Sequence, residues 1–208
     1  VPEGNDGALY IRPFMYADDE YIGVKPSDGY RFIILVCPVR AYYQEPLKVR
    51  IELDYSRAFP GGTGEVKCGG NYAGGLYPAK LGQRAGYHQL LWTDAMEHKY
   101  IEESGTMNVF FIIDGVLTTP SLDGTILAGI TRDSILHIAR EKGLPVAERK
   151  VSVEEVVSGV RNGKLTAAFG AGTAATIAPI AVIGHKGEDL KLPAMDEDFI
   201  LGDSMRGV

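Results

Sequence analysis

Pro60-Gly61-Gly62-Thr63-Gly64-Glu65-Val66-Lys67-Cys68-Gly69-Gly70-Asn71-Tyr72 sets one lysine between two glycine clusters, at a loop that leads into a helical segment. Glycine lets a backbone turn sharply or pass close to a ligand. A lysine held there can reach a planar ligand from one side. It becomes a nucleophile only when deprotonated, which requires burial or a neighbouring cation. The plain alternative is a solvated lysine on a flexible loop. A phosphate-gripping P-loop does not fit, because Lys67 is followed by Cys68 rather than Ser or Thr. Cys68 reads as a small residue filling the helix start, with a reactive thiol as its alternative.

Strands and helices alternate on either side of this stretch. Tyr10–Phe14, Arg31–Val36, Leu47–Leu53, Gln89–Trp92, Val109–Ile113 and Thr166–Phe169 carry the apolar, β-branched or alternating character of strands. Asp114-Gly115 between apolar runs predicts a two-residue hairpin. Thr131–Lys142 has a helical apolar face, and Gly143 stands where a helix ends. Ser152-Val153-Glu154-Glu155 is a capping box opening another helix. Asn71–Ala85 predicts a third, with Pro78 near its start or kinking it. The pattern implies one α/β domain over 1–208 with a mixed sheet.

Composition narrows the function classes. The 208 residues are 45% hydrophobic and 23% charged, with a formal net charge of −6. That is the profile of a folded domain, with no basic run for nucleic acid. No stretch reaches the roughly 18 apolar residues of a membrane span, so no membrane partner is expected. His88, His98, His137 and His185 are scattered without metal spacing, and no metal is expected. Cys37 and Cys68 are too few for a disulfide scaffold, which points to a cytosol-like compartment. Trp92 reads as core.

Three more segments carry possible chemistry. Ile101-Glu102-Glu103-Ser104-Gly105-Thr106-Met107-Asn108 precedes an apolar strand, and a carboxylate there could hold a protonated ring nitrogen. Taken alone, the segment reads as an exposed turn with a solvated Glu pair. Leu127-Ala128-Gly129-Ile130-Thr131-Arg132 leads into a helix with Thr131 as the natural N-cap, an anion site by virtue of its free N–H groups. Phe169-Gly170-Ala171-Gly172-Thr173-Ala174-Ala175 offers a second nest of N–H groups. Either could be a plain capping turn. Two Gly-Thr anion sites beside one buried lysine and one carboxylate suggest a phosphorylated aromatic aldehyde.

At these segments, together with Leu9-Tyr10-Ile11-Arg12-Pro13, the chain resembles the fold-type IV aminotransferases that use pyridoxal 5′-phosphate, specifically the branched-chain amino acid aminotransferases. The motifs occur in the family's order and span nearly the whole chain. The resemblance implies a mixed sheet or pseudo-barrel with flanking helices, the large domain of that fold. It implies Lys67 as the Schiff-base lysine and proton shuttle, Tyr72 on the cofactor's phenolic oxygen and Glu103 on its ring nitrogen. Ile130, Thr131 and Thr173 would bind the phosphate. Tyr10, Thr173 and Ala174 would grip the substrate α-carboxylate, and Arg12 the distal carboxylate of glutamate or 2-oxoglutarate.

The implied reaction is ping-pong transfer of the amino group of L-leucine, L-isoleucine or L-valine to 2-oxoglutarate. A D-amino acid aminotransferase, an aminodeoxychorismate lyase or a catalytically incomplete cofactor-binding fragment are the alternatives. The family also implies a cytoplasmic homodimer, or an organelle matrix in a eukaryote. Ala128 replaces the family's usual proline, and Ala175 and Ala178 stand where some relatives carry a Cys-x-x-Cys pair. The family's smaller N-terminal domain and the last helix are expected to be missing, which would leave the isolated chain inactive.

Overall fold

The structure, a computed structural model, describes residues 8–39, 45–173 and 177–195. The chain divides into two compact units, Val1–Gln44 and Glu45–Val208. In the first, β1 (Ala8–Ala17) and β2 (Tyr30–Val39) form an antiparallel ribbon in register from Ala8↔Val39 to Ala17↔Tyr30. Asp19 closes its connection, accepting the N–H groups of Asp28 and Gly29 and the Lys25 ammonium, the last at 2.8 Å.

The second unit contains β3 (Leu47–Ile51), α1 (Gly69–Arg84), β4 (Gln89–Thr93), β5 (Tyr100–Ser104), β6 (Met107–Ile113), β7 (Val116–Thr119) and α2 (Ile130–Glu141). It continues with β8 (Val146–Glu148), β9 (Val151–Ser152), α3 (Val153–Arg161), β10 (Leu165–Ala171), β11 (Ile177–His185) and β12 (Glu188–Lys191). Pairing runs β6-β10-β11-β3-β4-β5 and returns to β6, so six strands close into a barrel. β7 and β8 extend the sheet from β6, β9 pairs β5, and β12 pairs β11. β3 lies parallel to both β11 and β4, while β5, β6 and β10 run antiparallel to their neighbours. This is the α/β mixed-sheet barrel that the sequence implied.

Local signals explain several boundaries. Asp114 (φ 49°) and Gly115 (φ 78°) make the β6–β7 hairpin, both in the left-handed region that a two-residue turn of this hand needs. Ser152 Oγ accepts the N–H of Glu155 at 3.0 Å and caps α3. α1 starts two residues before the predicted helix and holds Pro78 well inside it, leaving the Gly74 carbonyl without its intrahelical donor. What holds α1 is close packing: a Cβ on Gly82 would lie 2.8 Å from Leu90 Cδ2 on β4. Thr131 is not the N-cap of α2. Gly129 takes that place with extended backbone (ψ 135°) and no side-chain cap, so the helix begins two residues earlier than a cap by the Thr131 hydroxyl would set it.

The core beside the barrel is made by β6, β10 and α2. Phe110 and Phe169 are fully buried and stack with centroids 5.0 Å apart, against Ile135, Leu136 and Ala139 of α2. Trp92 is buried as expected. No helix among the described residues is long and apolar enough to cross a membrane.

Candidate active site

A cavity of about 240 Å³ opens in the second unit, and Lys67, Tyr72 and Glu103 line it together. They come from three places: the loop after β3, the first turn of α1, and β5. Asn71 fixes the loop, since its Nδ2 donates to the carbonyls of Thr63 at 2.7 Å and Val66 at 2.8 Å. The glycine-rich run is thereby stapled to the helix that carries Tyr72. Lys67 is exposed rather than buried. Cys68 is the N-cap residue of α1, as the small-residue reading expects. Hydrogen bonding from Thr63, and then from the Asn71 backbone, holds its thiol below the usual range.

Glu102 and Glu103 are not a solvated pair. Their exposures are 6% and 4%, because β5 is an interior strand of the closed ring, flanked by β4 and β6. Glu103 Oε1 accepts the N–H of Leu127 at 2.9 Å, and Oε2 lies 3.3 Å from Arg57 Nε. Burial drives its pKa up to about 7, opposed by the Arg57 guanidinium, the Leu127 N–H and the Lys67 ammonium. Glu102 Oε1 accepts the Thr125 hydroxyl at 2.6 Å, and burial raises this carboxyl too.

Leu127 ties the acid to the helix terminus. Its carbonyl accepts Asn108 Nδ2 at 2.8 Å, and three residues later α2 begins. The N–H groups of Ile130 and Thr131 stand in the first turn, where a helix has no internal acceptors. Ile130 is exposed and Thr131 half-buried. Thr173 is exposed just beyond β10, whose Ala171 pairs with Asn108. Tyr10 and Arg12 lie on β1 of the first unit, with the Arg12 guanidinium 5.1 Å from the Tyr10 ring centroid. Ala174 lies outside the described residues.

Arg57 escaped sequence reasoning, as did Thr125. A single arginine in Ser56-Arg57-Ala58 has no pattern to mark it, and its partners Glu103 and Thr125 lie far along the chain. The available hint was indirect: a carboxylate aimed into a cavity needs a counter-charge.

The class IV amino-transferase family matches residues 1–183 of the chain. The branched-chain-amino-acid aminotransferase 2 of Bacillus subtilis is 43% identical over 195 residues, covering 92% of this chain and 54% of that protein. The chain thus spans about half the length of the curated relatives it matches. A crystal structure of the Thermoproteus uzoniensis branched-chain aminotransferase with norvaline superposes with a TM-score of 0.77 at 26% identity, covering 95% of this chain and 63% of that one. The branched-chain amino acid aminotransferase of Thermobaculum terrenum, crystallised in its PLP-bound holo-form, gives a TM-score of 0.69 at 27% identity, covering 84% of this chain and 56% of that one. Ile130, Thr131 and Thr173 do not line the cavity that Lys67, Tyr72 and Glu103 share. With the family matched over residues 1–183, the chain belongs to the class IV aminotransferases.

Proposed function

We propose that this chain is the pyridoxal-phosphate-binding part of a branched-chain-amino-acid aminotransferase, moving the amino group of L-leucine, L-isoleucine or L-valine to 2-oxoglutarate. The observation that carries the reading is Lys67 and Glu103 on one cavity, an exposed amine and a buried carboxylate. The residues fit the cofactor. Lys67 offers the amine for its aldehyde, Glu103 an acid poised near neutrality for its ring nitrogen, and Tyr72 a hydroxyl for its phenolic oxygen. The open first turn of α2, with Thr131 and Thr173, suits the phosphate. When bound, pyridoxal phosphate supplies an electron sink for the carbon that bears the amino group.

The chain's own residues then divide the work. Lys67 Nζ would take and return the proton at that carbon. Glu103 would hold a proton at the ring nitrogen, with Oε1 accepting the N–H of Leu127 and Oε2 facing Arg57 at 3.3 Å. Tyr10 and Arg12 would bind the substrate's carboxylates, with Thr173 and Ala174. The working enzyme is proposed to be a cytoplasmic homodimer.

The test is made on the full-length protein. Lys67→Ala is expected to abolish both the visible absorbance that borohydride bleaches in the wild type and turnover with L-leucine and 2-oxoglutarate. Retained turnover defeats the assignment. Preference for D-alanine over L-leucine in a substrate panel would keep the lysine chemistry and overturn the substrate class.

A further inference from the structure

Arg57 has no role in the reading so far beyond its proximity to Glu103, yet its side chain is 9% exposed and touches three separate segments. A guanidinium taken out of water is tolerated only where its donors are met. Nη2 donates to the carbonyl of Thr125, on the segment leading to α2, and is 3.3 Å from the carbonyl of Gly64, on the lysine loop. Nε is 3.3 Å from Glu103 Oε2, close enough for an ion pair but not aligned as a hydrogen bond. The two loops meet closely here: a Cβ on Gly64 would lie 2.5 Å from the Thr125 carbonyl oxygen.

We propose that Arg57 is the positioning residue of this site, fastening the Lys67 loop to the segment that enters α2 while its guanidinium, 3.3 Å from Oε2, counters the burial of the Glu103 carboxyl on the cavity. The proposal deepens the functional reading above and rests on it for its meaning in catalysis. The planar fork of arginine is what lets one side chain do both, with Nε toward the acid and Nη2 toward two carbonyls. A lysine ammonium is a point charge without those fixed directions, so it would keep the charge and lose the clamp.

The charges around Glu103 are Arg57 and Lys67 on the loop after β3 and Glu102 beside it on β5, with Tyr72 of α1 on the same cavity. Burial and Glu102 favour its neutral form; Arg57 stands first among the groups that oppose them. Removing the guanidinium therefore leaves the carboxyl with Lys67 and the Leu127 N–H as its remaining support.

Two titrations of the full-length protein test this. In the first, without added cofactor, the side-chain carboxyl of Glu103 is followed by ¹³C NMR and assigned by its loss in Glu103→Gln. Arg57→Gln is expected to move the midpoint upward by about one pH unit or more. Arg57→Lys should stay near the wild type. In the second, with pyridoxal phosphate bound, the pH dependence of the visible band should move in the same direction for Arg57→Gln.

Arg57→Lys also isolates the clamp: amide exchange at Gly64–Val66 is expected to quicken about tenfold or more through the lost bonds. An unchanged Glu103 midpoint in Arg57→Gln overturns the charge role, and unchanged exchange in Arg57→Lys overturns the clamp. If Arg57→Gln does not fold, Arg57→Lys still decides: a midpoint displaced despite the retained charge counts against the proposal. A wild-type protein that takes up no pyridoxal phosphate defeats the functional reading instead, and the cofactor-free titration then judges Arg57 alone.

Discussion

Leu127 donates its backbone N–H to Oε1 of Glu103 across 2.9 Å. The bond joins a barrel strand to the segment that becomes α2, so the buried acid and the helix terminus hold a fixed relation. Since Asn108 Nδ2 donates to the carbonyl of the same Leu127, one residue is gripped from both β5 and β6. Side-chain acids held by backbone in this way are pre-set in direction before any ligand arrives.

Glu103 makes the fold's stability depend on pH with a sign opposite to that of most carboxylates. Its pKa stands near 7 in the folded protein against an ordinary 4.5, chiefly through burial. Between those values the folded form binds a proton that the unfolded chain has released, so stability falls as pH rises through this window. Above about 7 both states are ionised and the cost is complete. Glu103→Gln removes that cost. Relative to wild type it is expected to gain up to about 3 kcal/mol between pH 4.5 and pH 8 in denaturant unfolding of the full-length protein. A difference that stays flat across that range would count against the buried, raised carboxyl.

Gly64→Ala tests how closely the lysine loop approaches the α2 segment. Its Cβ would come within 2.5 Å of both the Thr125 carbonyl oxygen and Ala58 Cβ, and the first of these is backbone that cannot rotate away. The expected loss is about 1–3 kcal/mol of stability, as for other overpacked sites. Weaker retention of pyridoxal phosphate on dialysis should accompany it. A variant as stable as the wild type would show that the two loops are not in contact.

Phe169→Ala removes one of two stacked rings, each fully buried, in the layer between the sheet and α2. A deletion of this size costs about 3–5 kcal/mol. Thermal unfolding should register it as a large fall in Tm, with no change in the midpoint of Glu103. A loss below about 1 kcal/mol would contradict the packing of β10 against β6 and α2.

Much of this was legible in the chain wherever the cause is local. The Asp114-Gly115 turn and the Ser152 cap depend on residues a few positions apart, and both stand where they were expected. Lys67, Tyr72 and Glu103 were found through motif order, and the barrel brings them to one cavity. Tertiary effects decided the rest. Ile177–His185 contains Pro179 and Gly184, a pattern that argues against a central strand, yet β11 completes the ring with Pro179 opposite Phe169. The Glu102–Glu103 pair reads as a wet turn until β4 and β6 enclose it. Thr131 obeyed a side-chain capping preference that the backbone of Gly129 overrode. Arg57 and Thr125 are joined across 68 positions, beyond the reach of any local pattern.

The ring of strands is completed between β5 and β6 by two residue pairs, Glu103↔Asn108 and Ser104↔Met107. The first of these pairs is also the one that grips Leu127 from both sides. Architecture and chemistry therefore share a single seam. A fluctuation that opened the barrel at these two pairs would at the same time loosen the grip on Leu127 and free the direction of the buried acid.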